Sequence, residues 1–291
     1  MMKKTILITG STDGIGKHLA KKLAKEGHEV IIHGRNPQKL EKAYEEVNSY
    51  SKEKSVRAYK ADLQNMDDIY SLVAKLKTDF EKIDVVINNA GVFAGSSKTS
   101  TKEGVELTFM LSVLVPYILS LELKDLLEKS TNGRIINTSS FMHHFAKVGN
   151  LDFGFERKYT PSLAYNNSKL YTIWITRYLA KLLRNNESNI VVNSYHPGLI
   201  STNLGNDTSD EKVKNSLYGK IMKKLSKNLD EGIETGYYLA ISDEVSHING
   251  KYFDEKKVKY TSEKGYTLEK EQRLVEYCNE KINDYKRKLD E

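Results

Sequence analysis

The segment Thr5-Ile6-Leu7-Ile8-Thr9-Gly10-Ser11-Thr12-Asp13-Gly14-Ile15-Gly16 decides the reading of this chain. Its short apolar start, rich in β-branched residues, reads as a buried strand. A glycine-rich turn follows at once, and a helical pattern runs from Ile15 to Lys25. Strand, glycine turn and helix in that order bring backbone N–H groups and the positive end of a helix dipole to one spot, which suits a phosphate. Gly10 permits the tight turn. Gly14 and Gly16 let backbone and helix approach a pyrophosphate closely, and Ser11, Thr12 and Ile15 belong to the same turn. The expected ligand is a dinucleotide.

Strand-like and helical runs alternate from there to the end of the chain. Strands are expected at Ile6 to Thr9, Glu29 to His33, Val56 to Lys60, Val85 to Asn88, Arg134 to Thr138, Val191 to Tyr195 and Lys251 to Phe253. Helices are expected at Ile15 to Lys25, Gln38 to Ser49, Asp67 to Phe80, Lys102 to Lys129, Ala164 to Arg184, Asp230 to Ile241 and Leu268 to Leu289. Such alternation argues for an α/β fold, a doubly wound parallel sheet (Rossmann fold) of about seven strands covered on both faces. One domain is expected over 1–291. Two long connections, 141–163 and 203–229, follow strand ends on the ligand side and read as substrate loops. The extension at 254–291 is expected to pack on the domain's outside.

Composition narrows the function further. Lys+Arg 45 against Asp+Glu 39 gives a net charge of +6. Because the two signs are interleaved, a solvated surface is expected and no nucleic-acid partner. The single cysteine, Cys278, excludes an internal disulfide, fits a reducing compartment and reads as an inert helix residue. Phe109 to Leu123 is the most apolar stretch, but it contains Pro116 and falls short of the roughly 20 residues of a membrane span. A buried helix in a cytoplasmic protein is expected, with no signal peptide before the first strand. His143 and His144 are read as loop residues pointing apart, with no Cys or carboxylate nearby to complete a metal site.

The second informative stretch is Tyr165-Asn-Asn-Ser-Lys169. Helical residues four apart share a face, so a phenol and an ammonium meet there. A free phenol titrates near pH 10. An ammonium about 4–5 Å away, at an effective dielectric of about 20, stabilises the phenolate by roughly 3–4 kcal/mol, which brings proton transfer close to neutral pH. Beside a dinucleotide, that pair points to carbonyl reduction or alcohol oxidation.

Cofactor choice is expected at the end of the second strand. An Asp or Glu there accepts from the ribose 2′-hydroxyl of NAD. This chain carries His33-Gly34-Arg35-Asn36 instead, so Arg35 would meet a 2′-phosphate and NADP(H) is favoured, with NAD(H) the alternative. Asp62 either caps the following helix or accepts from the adenine amine. Asn89, Ala90 and Gly91 close the fourth strand with small residues that let a dinucleotide lie across the sheet edge.

Taken together, T-G-x-x-x-G-I-G, N-N-A-G, a Ser after the fifth strand and Y-x-x-x-K resemble the short-chain dehydrogenase/reductase family. Arg134-Ile-Ile-Asn-Thr-Ser-Ser140, the long gap to Tyr165, His196-Pro197-Gly198 and Gly250-Lys-Tyr-Phe253 resemble its retinol-dehydrogenase-like branch. The resemblance implies an NADP-preferring enzyme acting on lipophilic aldehydes, ketones or alcohols. It also implies Tyr165 as acid/base, Lys169 as its partner and Ser140, rather than Ser139, as the group binding the carbonyl oxygen. Asn89 would lie near the adenine ribose, Pro197 and Gly198 beside the cofactor, and Thr202 on the nicotinamide amide. The helix Phe109 to Leu123 becomes a candidate subunit face, which leaves a homo-oligomer open.

One position departs from that pattern. Ser112 stands where the family has an Asn that helps hold a water linking the lysine to solvent, so a rearranged or weaker relay is expected, with Pro116 bending the helix. A cofactor-binding regulator with weak turnover and an NAD-dependent alcohol dehydrogenase are the competing readings. Phe141, Phe153, Phe155 and Leu204 suggest a lipophilic pocket or core, and the substrate itself is not encoded in any transferable pattern.

Overall fold

A computed structural model describes residues 2–149, 151–198, 228–263 and 265–290. Its centre is one sheet in the order β3-β2-β1-β4-β5-β6-β7-β8. The strands are β1 (Thr5–Ile8), β2 (Glu29–Gly34), β3 (Val56–Lys60), β4 (Val85–Asn88), β5 (Arg134–Thr138), β6 (Val191–His196), β7 (Tyr252–Asp254) and β8 (Lys257–Val258). β1 through β7 pair in parallel. β8 is an eighth strand beyond the seven expected, a two-residue return that pairs antiparallel with β7 at the edge. The strand order reverses between β1 and β4, and ligands settle beyond the strand ends at such a point.

Alternate strand residues feed two cores. Leu7, Ile31, Val86, Ile135 and Val192 face one side, while Ile6, Ile8, Val30, Ile32, Val85 and Ile87 face the other. The second side is covered by α1 (Gly14–Lys25), α2 (Pro37–Tyr50) and α8 (Leu229–Ile241). The first carries α3 (Met66–Asp79), α7 (Pro161–Asn185) and α9 (Leu268–Asp290).

The long helix expected over 102–129 is divided. Glu106 caps its true start, accepting from the Phe109 N–H at 2.8 Å, and α4 (Leu107–Phe109) then passes into a π-helical turn (Met110–Leu114). α5 (Val115–Glu122) and the short α6 (Lys124–Glu128) follow. The cause is local. Pro116 has no N–H for the Ser112 carbonyl, and the helix takes up an extra residue just ahead of it. Thr172 of α7 supplies the missing donor, its hydroxyl lying 2.8 Å from the Ser112 carbonyl.

α9 packs on the outside of the domain through a buried stripe. Leu274, Val275 and Cys278 are buried in the larger core, where burial pushes the Cys278 thiol pKa up. Tyr277 packs edge-on against Phe109 at 5.3 Å, and Tyr117 donates to Asn279 at 3.0 Å. α9 thus packs against the apolar helix expected as a subunit face, through Tyr277 and Asn279. Trp174, Phe153 and Phe155 are also core residues. No helix among the described residues is long and apolar enough to cross a membrane.

Leu274→Ala is expected to destabilise the fold by about 2–5 kcal/mol, because a buried leucine on an integral helix leaves a cavity. Equilibrium urea denaturation of the two proteins measures it; a change below about 0.5 kcal/mol would make α9 peripheral.

Candidate active site

The turn after β1 is held from outside by side chains far away in sequence. Asn89, just past β4, donates to the carbonyls of Thr9 at 3.0 Å and Gly10 at 3.1 Å. The Thr9 hydroxyl accepts from the N–H groups of Asn89 and Ala90, each at 3.0 Å. From β2, His33 Nδ1 accepts from the Gly10 N–H at 3.1 Å, and Nε2 donates to the Ala61 carbonyl at 3.0 Å. Accepting at one nitrogen while donating at the other requires a neutral ring, and burial lowers the His33 pKa to about 4.

Two glycines answer to contact as well as to conformation. A Cβ on Gly10, whose φ is +64°, would lie 2.8 Å from the Ala90 Cα, and one on Gly16 would lie 2.5 Å from Asn89 Nδ2. What remains is a cleft of about 820 Å³ lined by Gly10, Thr12, Gly14, Ile15, Gly16, Arg35, Asp62, Asn89, Ala90 and Gly91. These residues fit a dinucleotide: a backbone cradle that a side chain would fill, opening onto the N-terminus of α1. Ser11 does not line it. The Ser11 hydroxyl is buried, donating to the Ile8 carbonyl at 2.8 Å and accepting from the His33 N–H at 2.9 Å.

Asp62 forms a local turn, accepting from the Gln64 N–H at 3.0 Å, while Asn65 rather than Asp62 caps α3. Lys39 lines the same end of the cleft as Arg35. Sequence reading passed over it, although its place in the first turn of the helix after Asn36, whose side chain caps α2 by accepting from the Lys39 N–H, was available as a signal.

Tyr165 and Lys169 come together on α7, next to the end of β5 that Ser140 follows. Lys169 Nζ lies 5.5 Å from the centroid of the Tyr165 ring and donates to the Thr138 carbonyl at 3.0 Å. A Cβ on Gly91, in the cleft wall, would be 3.7 Å from that Nζ. Burial alone lowers the Lys169 pKa to about 8. The two serines are separated by their partners: the Ser139 hydroxyl donates to the Lys169 carbonyl at 2.8 Å, whereas Ser140 Oγ accepts from the Met142 N–H at 3.2 Å. Ser140 thus keeps its proton available, which Ser139 does not.

The connection after β5 opens as a 3₁₀ turn (Phe141–Phe145), not a loose loop. His143 is fully buried, and its ring lies 3.9 Å from that of His144, so the two do not point apart. Asn167, inside the tyrosine–lysine motif, clamps the connection by accepting from the Lys147 N–H at 2.8 Å and donating to its carbonyl at 3.0 Å. Phe141 is about two-fifths exposed, with its ring 6.3 Å from His196. Ser112 is buried and its hydroxyl has no partner among the described residues. Pro197 and Gly198 follow β6 directly; Thr202, Leu204 and positions 203–227 of the second loop lie outside the described residues.

Residues 4–213 match the short chain dehydrogenase family. The chain belongs to that family. Retinol dehydrogenase 13 of Homo sapiens is 34% identical over 86% of this chain and 76% of its own length. Polyprenol dehydrogenase of Homo sapiens is 31% identical over 88% and 78%. A short-chain dehydrogenase/reductase of unknown function from Caenorhabditis elegans, solved with cofactor, superposes with a TM-score of 0.66 at 26% identity, covering 85% of this chain and 91% of that one. As a short-chain dehydrogenase/reductase, the protein is an oxidoreductase that acts on CH–OH donors, interconverting alcohol and carbonyl with NAD(P)(H).

His33 gives this site an acid limit. Its folded pKa of about 4 lies below the ordinary value of 6.5, so its contribution to stability is complete above about pH 6.5 and is lost as pH falls through 4. Between pH 7 and pH 4 the wild type is expected to lose about 3 kcal/mol more than a His33→Gln protein. Denaturant titrations at the two pH values read the difference; equal losses would show that the ring titrates normally.

Proposed function

We propose that the protein is an NADP-dependent reductase of lipophilic aldehydes or ketones, in which Tyr165 transfers the proton, Lys169 tunes it and Ser140 holds the carbonyl oxygen. The observation that carries this reading is the buried Lys169 ammonium, 5.5 Å from the Tyr165 ring and against the cleft wall at Gly91. When bound, the nicotinamide supplies exchange of a hydride with the carbonyl carbon. Tyr165 donates a proton to the carbonyl oxygen in the reducing direction. Ser140 donates a hydrogen bond to the same oxygen as negative charge grows on it. Lys169 stabilises the phenolate that Tyr165 leaves behind, and its cation is worth most because water is excluded around it.

Arg35 and Lys39 support the choice of NADP. Both line the cleft beyond β2, where an NAD site carries a carboxylate, and together they offer two cations to a 2′-phosphate. The curated relatives named for retinol and polyprenol support a lipophilic substrate. So does Phe141, an exposed aromatic ring directly beside Ser140.

Loss of nicotinamide absorbance with a panel of aldehydes and ketones, decanal among them, tests the reading. Tyr165→Phe is expected to lower turnover by at least about 100-fold, and wild-type reduction is expected to decline above pH about 8 as Lys169 loses its proton. A panel that leaves absorbance unchanged would favour a cofactor-binding regulator.

Arg35→Glu is expected to weaken NADPH binding by about tenfold to a hundredfold, the equivalent of one charge-assisted contact. NADH binding should hold or improve. Fluorescence titration with both cofactors reads the ratio, and an unchanged ratio would remove Arg35 from the argument.

A further inference from the structure

His143 has no part in the reaction as described, yet it is fully buried and makes the shortest contact at the serine. Its Nδ1 lies 2.6 Å from the Ser140 carbonyl oxygen, which also accepts the His143 backbone N–H at 3.1 Å. A carbonyl can only accept, so Nδ1 carries the proton. The ring is neutral at working pH, because burial lowers its pKa to about 4. Tyr252 of β7 packs edge-on against the ring at 4.8 Å and His144 lies over it at 3.9 Å, which holds the imidazole in place. Nε2 has no partner among the described residues, so the bond to Ser140 is the one polar contact described for this side chain besides its aromatic packing.

On the reading just given, we propose that His143 is the positioning residue of Ser140: its Nδ1–H pins the Ser140 carbonyl and thereby aims the Ser140 hydroxyl at the substrate oxygen. The geometry follows from the peptide. Ser140 is extended, with φ −160° and ψ 153°, and both lone pairs of its carbonyl are taken by one residue three positions on. Rotating the Ser140–Phe141 peptide breaks both bonds, so the Ser140 Cβ direction is fixed. The Met142 N–H then holds Oγ from one side at 3.2 Å, leaving the hydroxyl proton for an acceptor in the cleft. Loss of the imidazole would free the peptide, and an error of about 1 Å in a hydrogen-bonding group can lower a rate by about 100-fold.

The test is a double-mutant cycle on the full chain with decanal and NADPH. His143→Phe is expected to lower kcat by about 10- to 100-fold with NADPH affinity, read by fluorescence, unchanged. His143→Asn, whose amide N–H lies near the position of Nδ1, should restore kcat to within about threefold of wild type. Ser140→Ala with His143→Phe should be no slower than Ser140→Ala alone, since a residue that acts through Ser140 has nothing left to position. Multiplied losses, or an unchanged kcat in His143→Phe, would overturn the proposal while leaving the Ser140 reading intact. A Ser140→Ala protein of full activity would overturn both. Should His143→Phe fail to fold, ¹⁵N spectra of the wild-type imidazole decide: protonated Nδ1 at pH 7 is expected, and protonated Nε2 refutes it.

Discussion

The site depends on a reciprocal bracket between the end of β5 and the middle of α7. Lys169 Nζ donates to the Thr138 carbonyl at 3.0 Å, and the Ser139 hydroxyl donates back to the Lys169 carbonyl at 2.8 Å. Strand and helix are thus registered to each other at one residue. Ser140 follows the bracket on the strand side, and Tyr165 precedes it by one helical turn. The position of the ammonium beside the phenol is therefore tied to backbone groups at the end of β5.

A buried polar column continues from that bracket into the fold. Asn88 donates to Asn137 at 2.8 Å across the β4–β5 pair, Asn137 donates to Thr176 at 2.9 Å, and Thr176 donates to the Thr172 carbonyl at 2.7 Å. Thr172 in turn reaches the carbonyl that Pro116 leaves open at Ser112. Each buried group that found no partner would cost about 1–3 kcal/mol, so the column constrains how α7 can sit on the sheet. At Ser112 the carbonyl accepts from Thr172 of the neighbouring helix, while the buried hydroxyl has no partner among the described residues.

The sheet, the helix periods and the glycine turn were legible because they repeat or sit in contiguous motifs. All seven expected strands appear, and both ends of the tyrosine–lysine helix fall within a few residues of their expected positions. What escaped the sequence is non-periodic. The clamp of Asn89 on Gly10, the bridge of His33 from Gly10 to Ala61, and the grip of Asn167 on Lys147 are side-chain-to-backbone bonds across tens of residues, and no local pattern encodes them. The π-helical turn was hidden for another reason: its apolar residues keep a helical spacing, and Pro116 alone marked the irregularity. α9 packs on the domain as its position suggested, but the charged outer face that dominates its composition hides the inner stripe of Leu274, Val275 and Cys278 that joins the core.

Burying an ammonium at Lys169 works against stability at neutral pH. Its folded pKa of about 8 lies below the ordinary 10.5, so the protein gives up folding free energy wherever that side chain is charged, and recovers it only as pH rises from about 8 toward 10.5. A sequence selected for stability alone would place an apolar residue there. The same desolvation is what makes the cation effective on a neighbouring phenolate, since a solvated lysine would be screened by water. The rest of the fold offsets this strain with apolar burial on both faces of the sheet and with the bracket that gives the ammonium a carbonyl to donate to. The departure from stability thus falls at the residue that the proposed proton transfer requires to hold a charge out of water.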